Sequence, residues 1–178
     1  MTITGRIALS ALVVAAVAGG ASARDRADVQ APRSTTTQQA EVIAVVVDPA
    51  TQQPVIVLEG KRDRRQLTMA IGLAEATGIA LPLQGVTPPR PLTHDLFLTM
   101  FGRLKVSLNR VVIHDFRDST YFATVHLSVD GTAMTLDSRP SDAIALAIRA
   151  MAPVLVEDHV FERGTSPAAP EPGRKRPI

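Results

Sequence analysis

The stretch D-S-R-P-S-D-A-I-A-L-A-I-R-A, residues 137–150, runs from a loop with two carboxylates and a guanidinium into an amphipathic helix. Pro140 presets the backbone near helical φ, as a proline does in a first turn. Ser138 or Ser141 can cap free N–H groups, and Asp142 places negative charge where the helix dipole favours it. Ala143, Ile144, Ala147, Ile148 and Met151 then fall on one face at helical spacing. The stretch is either a well-made helix start or a polar site on a rigid support. Sequence physics alone favours the first, because caps are far commoner than catalytic helix starts.

Upstream of this helix, residues 105–113, 121–129 and 132–137 read as strands, and Asp130-Gly131 between the last two is a strong hairpin signal. A final strand is expected at residues 153–156. Earlier in the chain, residues 41–47, 55–59 and 66–71 read as strands separated by polar turns. Residues 72–84 carry helical periodicity in Leu73, Ala76, Ile79, Ala80 and Leu83. Gly78 and Pro82 lie inside it, which predicts a short or kinked helix. After the stiff loop at residues 87–91, Thr93 is the expected N-cap of a second helix with Asp95 in its first turn. Its apolar face would hold Leu92, Leu96, Met100 and Leu104, with Phe97 and Phe101 close by. Three strands, two helices, three strands, a helix and a strand make an α+β single domain. It has two strand-rich halves, each followed by helix, on a mixed or antiparallel sheet.

Around this domain, residues 1–23 read as a signal peptide. Arg6 supplies a positive charge, residues 7–20 an uncharged apolar run too short to span a bilayer, and A-S-A a cleavage site. Export to the periplasm or the medium is therefore expected, with no stable membrane anchor after cleavage. Residues 24–39 read as a disordered spacer, residues 40–162 as the domain, and residues 163–178 as a flexible basic tail with four prolines. The chain has no cysteine, which excludes disulfides and thiolate metal sites. The domain carries 11 Lys/Arg against 14 Asp/Glu, a net of −3, while the tail carries +3. The basic pI near 9.5 thus does not describe the domain, and long-range attraction of a polyanion would rest on the tail or a local patch.

Polar residues cluster at element ends: His94-Asp95, His114-Asp115, Arg117-Asp118, and Asp137 with Arg139 and Asp142. Carboxylates and imidazoles converging from several loops can hold a divalent cation that activates water, with Arg117 or Arg139 stabilising the transition state. No pair has an ordered metal-ligand spacing, and no P-loop or dinucleotide fingerprint is present. The plain readings are a first-turn charge for Asp95, turn aspartates at 115 and 118, and structural ion pairs for the arginines. A Ser141–His94–Asp triad lacks the G-x-S-x-G setting.

The segments L-Q-G-V (83–86), P-P-R-P-L-T-H-D-L (88–96), D-F-R-D-S-T-Y-F-A (115–123) and residues 137–150 occur in order, and together they closely resemble the bifunctional nuclease domain family. A-I-G-L-A-E-A (70–76) and A-P-V-L-V (152–156) extend the match. The resemblance implies an α+β domain, a homo-oligomer, and nuclease activity on both RNA and DNA. It marks Glu75, His94, Asp95, Asp115, Arg117, Asp118, Asp137, Arg139, Ser141 and Asp142 as candidate positions. Expected catalytic groups are His94, Asp95, Arg117, Arg139 and Asp142, and substrate contacts are Arg90, Arg117, Arg139 and Ser141. A Mg²⁺ or Mn²⁺ ion would be held by some of Glu75, Asp115, Asp118, Asp137 and Asp142. Phe97, Phe101 and Phe116 are candidates for a contact surface between copies. Pro82, His114 and Ser119 depart from the family pattern and put the end of the first helix and the 115–118 loop in question. The competing reading is a non-catalytic oligomeric binding or regulatory module.

Overall fold

The computed structural model describes residues 36–164; the stretch read as a signal peptide, most of that read as a spacer and the residues beyond 164 lie outside the described residues. The elements follow as β1 (Thr37–Val47), β2 (Pro54–Gly60), β3 (Gln66–Ala70), α1 (Leu73–Leu83), α2 (Thr93–Arg103), β4 (Val106–Arg117), β5 (Thr120–Val129), β6 (Thr132–Ser138), α3 (Pro140–Ala150), β7 (Val154–Glu157) and α4 (Asp158–Gly164). The fold is α+β, with the seven strands in a single mixed sheet of order β3-β2-β1-β7-β4-β5-β6.

Strand β7 joins the two halves. It pairs antiparallel with β1 and parallel with β4, through Val111↔Val154 and Ile113↔Val156. Because side chains alternate along each strand, the register places Ile56, Leu58, Leu67, Met69, Ala40, Val154, Val156, Val111, Ile113, Ala123, Val125 and Leu127 on one face. That face carries the core, with Ile79, Ala143, Ile144, Ala147 and Phe161 packed into the same cluster. Asp130 and Gly131 both adopt positive φ, the conformation that a two-residue hairpin turn needs. Among the described residues no helix is long and apolar enough to cross a membrane.

Several expectations are corrected. β1 begins at Thr37, inside the stretch read as spacer, because residues 37–40 find backbone partners on β7. Residues 158–164 form α4, which takes in Arg163 and Gly164 from the expected tail. Helix α1 does not stop early at Pro82 but runs on to Leu83. Pro82 has no N–H for the carbonyl of Gly78, and Arg149 Nη1 donates to that oxygen instead, at 2.6 Å. In α2, Leu92 rather than Thr93 stands at the cap, and its N–H donates to Asp95 Oδ2 at 2.8 Å. The expected apolar face of α2 is not buried: Leu96, Phe97, Met100 and Leu104 are exposed, and only Phe101 packs on the core. Met151 is not part of the buried face of α3. It ends the helix in the left-handed region with 93% of its surface exposed. Phe116 packs on the core and against Tyr121, which withdraws it, like Phe101, from an open contact surface.

Candidate active site

The N-terminal turns of α1, α2 and α3 converge, and each contributes polar side chains to one groove. Leu73, Glu75 and Gly78 come from α1, Thr93, His94 and Asp95 from α2, and Asp142 from α3 with Arg139 just before it. Arg139 stands at the α3 cap in extended backbone, so its side chain leaves the helix start toward α1. Its Nε donates to Asp142 Oδ2 at 2.7 Å and its Nη2 to Asp142 Oδ1 at 3.1 Å. Nη2 also lies 2.8 Å from Glu75 Oε1. The hydrogen bonds and charge of Asp142, then of Glu75, raise the guanidinium above its ordinary pKa, so it stays cationic. With 65% of its side chain exposed, it is fixed in place and still open to a ligand.

His94 Nε2 lies 3.5 Å from Asp142 Oδ1, with 13% of the imidazole exposed. The ring rests on Gly78, and any larger residue there would press on it. Glu75, Arg139, Asp142 and His94 thus form one chain of contacts. With Leu73, Thr77, Gly78 and Thr93 they line a groove of about 690 Å³. A second cavity of about 580 Å³ adjoins it, lined among others by Gln52, Gln53, Gly72, Ser119, Thr120, Tyr121 and Ser141. Leu73 and Arg139 belong to both.

Beneath the groove is Arg149, with only 8% of its side chain exposed. Its Nε donates to Asp95 Oδ1 at 2.6 Å, and its Nη1 donates to the carbonyls of Gly78 and Ala145. It ties all three helices together. Burial pushes the Asp95 carboxyl up, but hydrogen bonds from Arg149 and the Leu92 N–H outweigh this and hold it below its ordinary value. Asp95 is therefore a structural anchor beside His94, and its carboxylate is fully engaged. The sequence reading missed Arg149, Gly78 and Leu73. One signal was present: a proline four residues after Gly78 leaves a carbonyl that needs an outside donor.

The remaining candidates lie elsewhere. Asp115 accepts from Phe116 N–H and from Arg117 Nη1, and it also faces Arg163 and His159. Arg117 lies over the ring of Phe122, 4.0 Å from its centroid. Asp118 is exposed in the β4–β5 turn, and Arg90 is exposed in the loop between α1 and α2. Asp137 pairs with Thr124, whose side alternates away from Ala123 and Val125. Its side chain therefore lies on the sheet face opposite the core, and Asp142 lies with the helices. Ser141 is buried at the second turn position of α3, and the partner of His94 is Asp142, so no Ser141–His94 pair forms.

The five carboxylates read as a metal set therefore do not converge. Glu75 and Asp142 are both engaged by Arg139, while Asp115, Asp118 and Asp137 sit on other elements. Among the described residues no group of three or more His, Cys, Asp or Glu side chains is arranged to hold a metal ion. The residues present do not fit a Mg²⁺ or Mn²⁺ site of that composition.

Comparison with known sequences agrees with the motifs. Two uncharacterized proteins of Mycobacterium tuberculosis, MT1877 of strain CDC 1551 / Oshkosh and Rv1829 of strain H37Rv, are each 38% identical to the chain over 123 residues. The aligned region is 69% of this chain and 73% of each of theirs. A sequence model of the bifunctional nuclease domain matches residues 56–168, which include all three helix starts, and the chain belongs to the bifunctional nuclease domain family.

Proposed function

We propose that the protein is a phosphodiester hydrolase of low sequence specificity acting on RNA and DNA at the Arg139 groove. The observation that carries this reading is the arrangement His94–Asp142–Arg139–Glu75 along the wall of the groove, in a chain of this family. Arg139 offers a preorganised cation to a phosphate oxygen through Nη1, its Nε and Nη2 being held by Asp142 and Glu75. The His94–Asp142 pair, on the same groove wall, serves as the proton carrier. In hydrolysis it takes a proton from the attacking water as the new P–O bond forms. It returns a proton to the leaving oxygen as the old bond breaks. Asp142 keeps the imidazole oriented. No step is routed through a metal ion, because the carboxylates nearest the groove are paired with Arg139.

The test is degradation of labelled RNA and DNA by purified protein, with EDTA and with added Mg²⁺ or Mn²⁺. His94→Ala should lower the rate by about 10²-fold or more. Arg139→Lys should lower it by about tenfold or more, since a point-charge ammonium cannot span Asp142, Glu75 and a phosphate together. Cleavage is expected to persist in EDTA. Activity unchanged in both variants removes the assignment, and strict dependence on added metal removes the metal-free form of it. Residues 1–23 support a further proposal, that the nuclease acts outside the cytoplasm; N-terminal sequencing of exported protein should begin near residue 24.

The exposed apolar residues of α2 favour a second reading, a non-catalytic oligomeric binding module. It would show self-association without cleavage.

A further inference from the structure

Leu73 is the first residue of α1 and leaves 75% of its surface in water, although helix α1 otherwise faces the core through Ala76 and Ile79. It stands beside Arg139 on the saddle between the two cavities, and these two residues alone line both. The cavities, about 690 and 580 Å³, each fall in the size range of small-ligand sites. Their walls differ. One side carries His94, Asp142, Thr77 and Thr93, and the other carries the amides of Gln52 and Gln53 with Ser119 and Thr120.

A cation and an exposed apolar side chain side by side, with a polar cavity on each flank, match the chemistry of one phosphodiester between two nucleosides. We infer that this saddle is a dinucleotide-reading element: Arg139 takes the bridging phosphate, Leu73 wedges between the flanking nucleosides, and each base enters one cavity. This rests on the phosphodiesterase reading above and adds its substrate requirement. The minimal substrate has two nucleosides joined by one phosphate, and its bases must be unstacked from each other. The Gln53 amide offers donors and an acceptor, and Gln52, whose Nε2 donates to the Pro49 carbonyl, adds its amide oxygen, so the pair can meet any base edge and admit all four bases. Unpaired strands are therefore taken, and duplex is taken only where it opens.

The experiment uses the full-length protein and 5′-fluorescein oligonucleotides in anisotropy titrations at low salt, alongside cleavage of the same strands. Leu73→Ser and Gln53→Ala should each weaken binding of a single-stranded hexamer by about fivefold, the order of one lost apolar contact or one net hydrogen bond. Leu73→Met should retain wild-type binding, because it keeps an apolar wedge of similar size. A dinucleoside monophosphate should compete with the hexamer about tenfold better than a mononucleotide, reflecting the second occupied cavity. Both substituted positions are exposed, and circular dichroism and thermal unfolding should match wild type. Wild-type binding that is unmoved by both Leu73→Ser and Gln53→Ala, or a mononucleotide that competes equally, overturns the inference alone. A wild-type protein that neither binds nor cleaves any oligonucleotide overturns the phosphodiesterase reading along with it.

Discussion

Gly78 leaves room for the His94 ring and accepts from Arg149 through its carbonyl, so a residue without a side chain positions two that have one. An alanine Cβ there would stand 3.0 Å from His94 Nδ1 and 3.1 Å from Cε1. Alanine is otherwise favoured by about 1 kcal/mol over glycine in a helix interior. Gly78→Ala should therefore leave the melting temperature unchanged or slightly raised while it displaces the imidazole from Asp142. The His94 ring resonances should shift, and cleavage should fall. Unchanged ring resonances would show that the glycine does not position His94. His94, Arg139 and Asp142 were legible in the sequence as polar residues in motifs. The pairings Arg139–Glu75 and Arg149–Asp95 were not, because they form only across helix packing, over 64 and 54 positions.

The β4–β5 hairpin turns on Asp118 and Ser119, at φ of 49° and 56°. Two-residue turns of this kind want glycine second, as Asp130-Gly131 supplies between β5 and β6. A side chain in the left-handed region costs about 1 kcal/mol, and aspartate tolerates it better than serine. Ser119→Gly should thus raise unfolding stability by about 0.5–1 kcal/mol in denaturant titration, without changing the slope. A loss of stability would mean that the Ser119 side chain does more than occupy a strained turn. At this scale the periodicities identified all six strands expected before α3 and β7. They did not reveal α4 or the exposure of α2. Amphipathic spacing shows that one helix face is apolar but not whether the fold covers it.

Across the molecule, pH stability is set by a few groups that lock distant elements. The hydrogen bond from Arg65 above all, then those from the Arg65 N–H and Gln38, holds Asp63 well below the usual carboxylate range. With Arg62 and Asp158 this ties the β2–β3 turn to β1 and α4. Asp95 is held below its ordinary value in the same direction and ties α2 to α3 through Arg149. Carboxyls with depressed pKa stabilise the fold above their unfolded value, and that contribution is lost as pH falls through the folded value. Burial pushes the Tyr121 phenol up to about 12, from 10.0, and its hydroxyl bonds the carbonyls of Thr68 and Gly164. A raised phenol stabilises the fold below its unfolded value, and the contribution is lost between pH 10 and about 12. The melting temperature should therefore hold across neutral pH and drop below roughly pH 4 and above roughly pH 10. Asp95→Asn should flatten the acid limb, and Tyr121→Phe the alkaline one; limbs unchanged in these variants would assign them to other groups. The sequence by itself determined the family, the α+β class, the helix start at Pro140 and the hairpin at Asp130-Gly131, because these depend on local backbone preference and periodicity. Only the tertiary structure decided which charges meet. It placed Asp137 on one face of the sheet and Asp142 on the other, and it gave Arg139 to Glu75 and Asp142. Residues 137–150 are in the end both alternatives at once, a proline-started helix and the rigid support of Arg139. Pairing across elements depends on register and packing, which carry no local signature.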